Sequence, residues 1–182
     1  PIKRLDTLKI AAVCIGENSD PFQKMIKRYA KIDVYELSEN HSEQQRKELL
    51  LKLSDYNLVL ASVHKSDKNP WKSYRINQDT DLFLQTLGIQ SKVVLSVFAN
   101  PYSLSDLLIT YAFDGLVIAY QNSEINQRKV AQAIFGGLNF KGRIPVSNKH
   151  FNFGDGIITN NKTRISYNHY NNYDNKLLKR VD

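Results

Sequence analysis

The residues best equipped for chemistry gather in one connection, His64–Ile76 (HKSDKNPWKSYRI). It holds His64, Asp67, Trp71, Tyr74 and Arg75, and it leaves the C-terminal end of a predicted strand. Ligands of open parallel sheets sit at that end. An aromatic ring set among charged groups suits a sugar surface, and the plainer alternative is a solvated loop with Trp71 packed beneath it. Later exits from the same sheet edge add Asn100 and Tyr102, then Gln121 and Asn122. For Asn100 the plain role is a turn, because asparagine side chains bond their own backbone.

Several chemistries have no seat. No G-x-S-x-G elbow is present, so an α/β-hydrolase nucleophile is missing. His41, His64, His150 and His169 are dispersed without metal-ligand spacing, which argues against a zinc site. Gly154-Asp155-Gly156 is too short for a calcium loop and predicts a turn. The first strand–helix loop, Gly16-Glu-Asn-Ser-Asp-Pro21, has one glycine and two acids. A phosphate cradle needs more glycine for close backbone approach, and the paired acids of a magnesium-holding receiver domain are absent too. Neither a metal nor a cofactor is implied, and no catalytic residue is assigned.

Composition narrows the classes further. The 182 residues suit one domain with a tail. No apolar run approaches the roughly 18–20 residues of a membrane span. The chain carries a net charge of +7, but the cations are scattered as Lys3-Arg4, Lys27-Arg28, Arg46-Lys47 and Lys179-Arg180. Nucleic-acid binding wants a dense basic stripe, so no nucleic-acid partner is expected. Cys14 is the single cysteine, which excludes an internal disulfide; inside an apolar strand it reads as a small buried hydrophobe. A secretory leader, if the protein has one, would precede Pro1.

Strands and helices alternate along the chain. Leu8–Ile15 is a strand apolar on both faces. Ser19-Asp20-Pro21 starts a helix, with a capping side chain and an early proline, that carries Phe22, Met25, Ile26 and Tyr29. Lys31–Leu37 alternates like an edge strand. Ser42–Leu53 is a helix with Leu49, Leu50 and Leu53 inward and a Glu43–Lys47 pair outward. Asn57–Val63 is a third strand, and Asn77–Leu87 a helix stopped by Gly88, with Leu82, Phe83, Leu84 and Leu87 as its apolar residues. Lys92–Ala99 is a fourth strand, after which a helix is expected through Leu104, Leu107, Leu108 and Tyr111. Gly115–Tyr120 is the fifth strand, and a helix capped near Ser123 follows through Ile125, Val130, Ala131, Ile134 and Phe135. Gly136 and Gly137 sit where a helix end wants positive φ. Five strands alternating with helices predict an α/β fold, a three-layer α/β/α sandwich around a mainly parallel sheet.

Particular stretches carry a family resemblance. Ala131-Gln-Ala-Ile-Phe-Gly-Gly-Leu-Asn-Phe-Lys-Gly-Arg-Ile-Pro-Val-Ser147 resembles the closing segment of the second, α/β/α domain of family 3 glycoside hydrolases. Val93–Tyr102 (VVLSVFANPY) resembles a strand and its N-P-Y loop in that domain, and Gly115–Asn122 (GLVIAYQN) the next strand and its exit. Pro1–Gly16 resembles the link from a preceding barrel. The resemblance covers about residues 1–167. It implies a flavodoxin-like strand order, 2-1-3-4-5, and a domain of residues 1–158. Residues 159–182 then form an asparagine-rich linker and the first turns of a further element.

The same resemblance implies a functional role. The partners would be an upstream (β/α)8 barrel of the same chain, a carbohydrate substrate, and downstream a β-lactamase-like domain. In many family β-glucosidases the second domain supplies a glutamate acid/base, yet no glutamate occurs here between Glu48 and Glu124. A retaining mechanism needs a nucleophile and a proton donor. With neither supplied here, both would lie on the barrel, as in the β-N-acetylglucosaminidase branch; Asp67 is the one substitute. The expectation is an accessory domain of an exo-acting β-N-acetylhexosaminidase, inactive alone, periplasmic or extracellular, whose barrel-facing loops offer His64, Asp67, Trp71, Asn100, Tyr102, Gln121 and Asn122. Lys141 and Arg143 would touch the barrel or the linker. Two alternatives are a stand-alone flavodoxin-like module for a small ligand and the accessory domain of a β-glucosidase. An enzyme complete in this chain would need groups that the sequence does not offer.

Overall fold

A computed structural model describes residues 1–66 and 73–167. Five strands, β1 (Ile10–Gly16), β2 (Ile32–Leu37), β3 (Leu58–His64), β4 (Val93–Phe98) and β5 (Gly115–Ile118), form one sheet. Every pairing is parallel and the order is β2-β1-β3-β4-β5. The expected fold and strand order are therefore present. Helices α1 (Asp20–Ile26), α2 (Glu43–Leu53), α3 (Gln78–Gln90) and α4 (Glu124–Ile134) cover its two faces.

Alternation along β1 shows why its sequence is apolar throughout. Ile10, Ala12 and Cys14 pack on the face covered by α1 and α4, with Phe22, Phe98 and Phe135. Ala11, Val13 and Ile15 pack on the other face, with Leu53 of α2 and Phe83, Leu84 and Leu87 of α3. Successive strand side chains point to opposite faces, so a strand covered twice has no polar side. β2 is an edge strand, and its middle residues are partly exposed. Burial pushes the Cys14 thiol upward, as suits an unreactive core residue.

Local chemistry sets the helix starts. Ser42 and Gln45 form a reciprocal capping box at α2. Asn77 accepts from the Thr80 N–H at α3, and Ser123 from the Asn126 N–H at α4. The Glu43–Lys47 pair forms at 2.6 Å on the exposed face. Ser19 differs from expectation: its backbone is already helical and its side chain makes no cap bond. Its hydroxyl instead accepts from Gln23 Nε2 at 2.8 Å.

Four further expectations are corrected. The helix foreseen after Asn100 is only a 3-10 segment, Pro101–Asp106. Asn100 accepts from Tyr102 N–H at 3.1 Å, Asp106 accepts from Ile76 N–H at 3.0 Å, and Asp81 accepts from Leu108 N–H at 3.2 Å. These side chains compete with helical bonding and draw Leu107 into extended geometry along α3. Leu104 and Leu107 are buried as expected, while Leu108 and Tyr111 stand exposed. Gly88 does not stop α3, which runs on to Gln90. A Cβ on Gly88 would lie 2.7 Å from Ala112 O, so glycine there allows that close approach. Gly136 has φ +80°, as a helix stop requires, but Gly137 does not have positive φ; a Cβ there would strike the Tyr29 hydroxyl at 2.2 Å. Leu82 and Ile125, expected in the apolar contacts of their helices, are half exposed.

The chain closes on the end of α4. Arg164 donates to Ile2 O and Phe135 O, and Thr163 N–H donates to Gly136 O. Tyr167 lies edge-on to Tyr29. Of the stretch assigned to the linker from residue 159, the part through Tyr167 thus lies against α1 and α4. Residues 168–182 fall outside the described residues.

Candidate functional site

The C-terminal edge of the sheet is built from the exits of all five strands. β3 ends on His64, which is 1% exposed. Its ring stacks on Phe98 at 4.6 Å between centroids and meets Phe22 edge-on. Both ring nitrogens are occupied: Nδ1 lies 3.0 Å from Asn122 Oδ1 and Nε2 lies 2.9 Å from Ser62 Oγ. Chemistry assigns the tautomer. An amide oxygen only accepts, so Nδ1 carries the proton. Nε2 then accepts from the Ser62 hydroxyl. Burial holds this imidazole down at about 4, so it is neutral at physiological pH.

The network continues outward. Gln127 Nε2 donates to Asn122 Oδ1 at 2.7 Å and to Asn18 O at 2.7 Å, and Gln127 Oε1 accepts from Phe22 N–H at 3.1 Å. Asn122 Nδ2 donates to Glu17 O at 3.1 Å. The exits of β1, β3 and β5 are thereby tied to one another and to α4. Gly16 makes the close approach possible: φ is +100° and a Cβ would lie 2.2 Å from His64 O.

A serine, a histidine and an asparagine in hydrogen-bonded series resemble a nucleophile with its base and orienting group. Burial decides against that role. Ser62 is fully buried and His64 nearly so, and a base held at about 4 is weak near neutrality. The series is a structural clamp.

A second tie lies beside it. Lys65 Nζ pairs with Glu39 Oε2 at 2.6 Å; the lysine side chain is 8% exposed and the carboxylate 31%. Asn77 Nδ2 also donates to Glu39 O, joining the β2 exit to the start of α3. At the far end Tyr120 has φ +63° and is bridged by a Gln121 N–H to Ala119 O bond of 2.7 Å. That is a γ-turn of the rare positive-φ kind, which stores strain. The Tyr120 hydroxyl is anchored on Arg143 O at 2.9 Å.

Of the residues foreseen from sequence, the structure brings His64 and Asn122 into direct contact inside the clamp. Asn100, Tyr102 and Gln121 lie exposed on the same edge. Asp67 and Trp71 lie outside the described residues. Sequence reading passed over Ser62, Glu39, Lys65, Tyr120 and Gln127. Ser62 was findable, since a spacing of two puts it on the same strand face as His64. Glu39 and Lys65 meet only because β2 and β3 flank β1. Among the described residues no cluster of three or more metal-ligating side chains occurs, and no helix is long and apolar enough to cross a membrane.

No protein-family model and no curated protein sequence matches the chain. Solved structures do. A fungal multi-domain GH3 β-N-acetylglucosaminidase with a GCN5-related glucosamine N-acetyltransferase region superposes with a TM-score of 0.64 at 16% identity, over 86% of this chain and 17% of that one. A glycoside hydrolase family 3 β-N-acetylglucosaminidase from Paenibacillus sp. str. FPU-7 gives 0.54 at 11% identity, over 69% and 25%. A GH3 exo-β-xylosidase, solved with a xylobiose aziridine probe, gives 0.55 at 13% identity, over 75% and 21%. The likeness is one of fold. This chain spans a quarter or less of the length of each of these three enzymes.

Proposed function

We propose that this chain is an accessory domain of a carbohydrate-hydrolysing enzyme, packing through its C-terminal sheet edge on a catalytic (β/α)8 barrel and helping to wall the cleft. The observation that carries the reading is the clamp. The groups at this edge that look reactive, His64 and Ser62, are buried and spent on each other and on Asn122. An edge fixed in this way presents the rigid loops around Asn100, Tyr102 and Gln121 and supplies no base of its own. The fold's occurrence as a small part of larger GH3 enzymes supports the same reading.

The finer assignment is to a retaining exo-β-N-acetylglucosaminidase. It rests on the lack of any glutamate between Glu48 and Glu124 and on the resemblance of the closing segment. On this reading both catalytic groups belong to the barrel, and the enzyme works in the periplasm or outside the cell, where its polysaccharide substrates are. A further domain after residue 182 belongs to the same proposal.

The test is hydrolysis of chromogenic β-N-acetylglucosaminide and β-glucoside by this chain alone and by a chain that includes the barrel. The expected result is no turnover by the domain and N-acetylglucosaminide cleavage by the longer chain. Turnover by the domain alone overturns the accessory role. Cleavage of the glucoside only keeps that role and overturns the hexosaminidase assignment.

A further inference from the structure

The lateral edge of the sheet at β5 is unfinished. β5 is the terminal strand, and each of its four residues is only partly buried. On its inner side Asp114 N–H donates to Val93 O and Ala119 N–H donates to Val97 O. The Ala119–Val97 bond and the pairing of Val97 with Ile118 turn Gly115, Val117 and Ala119 toward β4, so the alternate residues Leu116 and Ile118 present N–H and C=O groups outward. Among the described residues no backbone segment bonds to that side.

A cleft of about 1160 Å³ follows this edge. Val130 and Ile134 of α4 wall one side together with Phe140, and Phe113 and Ile144 the other. The segment carrying Phe140 and Arg143 is tied to β5's end by the Tyr120 hydroxyl on Arg143 O. The rim is cationic. Lys129 and Lys141 line it, and among the described residues neither has an ion-pair partner. Arg143 donates to the carbonyls of Gly154 and Gly156, which leaves its charge unneutralised. The nearby acids Asp114 and Asp155 each accept a backbone amide, from Val93 and Asn152.

We propose that this cleft docks an extended peptide strand of a partner protein, apolar at alternate positions and acidic where it passes Lys129 and Lys141. An open edge offers alternating donors and acceptors at a spacing that an added strand matches, while the cleft receives alternate side chains. Charge complementarity selects an acidic strand. A second copy of this chain fits poorly, because a two-fold pairing would set Lys129, Lys141 and Arg143 against their own copies. The surface runs along the lateral edge and meets the C-terminal edge at Tyr120, but it uses none of Asn100, Tyr102 and Gln121, so peptide binding tests it apart from the accessory-domain reading.

The test uses the 182-residue chain and a fluorescent synthetic peptide alternating valine and glutamate, with a valine–lysine peptide as its counterpart. Anisotropy should show saturable binding of the glutamate peptide, at least about tenfold tighter than the lysine peptide. Leu116→Pro removes one outward donor at an edge position that tolerates proline, and should weaken binding about tenfold. The double change Lys129→Glu with Lys141→Glu should reverse the preference. Amide shifts of Leu116 and Ile118 on titration read the pairing in the unaltered chain, even if Leu116→Pro perturbs folding. No saturable binding, equal binding of the two peptides, or unshifted Leu116 and Ile118 amides would overturn the proposal. So would a dimer in sedimentation that the peptide displaces, which assigns the edge to a second copy.

Discussion

β3 and β5 are both parallel strands of one sheet, and their sequences, LVLASVH and GLVI, are equally apolar at their starts. The first is buried at every residue and the second at none. β3 lies between β1 and β4 under helices on both faces, and even its serine and histidine are enclosed. β5 has one neighbour. The contrast teaches that apolarity places a strand in a sheet, whereas its neighbours decide whether its polar groups are spent or available. At β3 they are spent, in a clamp between strand exits; at β5 they face a cleft.

The sharpest way to break this contrast is at Gly16, where β1 lies tight against the β3 exit. Gly16→Ala places a Cβ 2.2 Å from His64 O in a backbone region that side chains avoid. We expect a loss of about 4 kcal/mol, read by urea denaturation. A loss below about 1 kcal/mol would mean that the two exits are not held together as described.

Next in size is the clamp itself. His64→Ala removes a ring stacked on Phe98 and leaves Ser62 and Asn122 without their partner, at a cost of about 3 kcal/mol. The same residue predicts a pH dependence. Burial holds His64 at about 4, below its ordinary 6.5. The unfolded chain therefore binds a proton that the folded chain refuses between these values. The contribution is fully present above about 6.5, falls as pH drops toward 4, and is level below that. The shift corresponds to about 3 kcal/mol. Denaturation of the parent chain and of His64→Gln at pH 7 and pH 4 should show this extra loss in the parent only. Parallel slopes would show that His64 is not sealed.

These positions also mark how far the sequence could be read. The five strands follow from apolar runs bounded by turns, and the edge character of β2 from its alternation, because both signals are local. The strand order rested on family resemblance. The helix expected after Asn100 failed because Asp81, far outside the local window, accepts from Leu108 N–H, and Asp106 within it turns to the distant Ile76 N–H. Gly88 resembled a stop but serves packing against Ala112, a contact 24 residues away. His64 was grouped with a polar loop, since a histidine at a strand end gives no local sign that Asn122 will meet it. Glu39 and Lys65 were missed for the same reason: their contact depends on strand order. The exposed members Asn100, Tyr102 and Gln121 were legible as loop residues because each follows a strand directly.

The smallest effect tests the comparison most directly, by making one substitution in each strand. Val59→Thr buries a hydroxyl in β3, where the site is closed on all sides, and should cost about 2 kcal/mol. Val117→Thr places the same hydroxyl beside the β5 cleft, where water can reach it, and should cost about 0.5 kcal/mol or less. The two side chains are nearly equal in volume, so the difference reports enclosure rather than size. Paired urea titrations of the two variants measure it. Equal costs would mean that β5 is covered in solution. Repeating the Val117→Thr titration with the valine–glutamate peptide should raise its cost toward that of Val59→Thr, because a docked strand closes the one side that β5 leaves open.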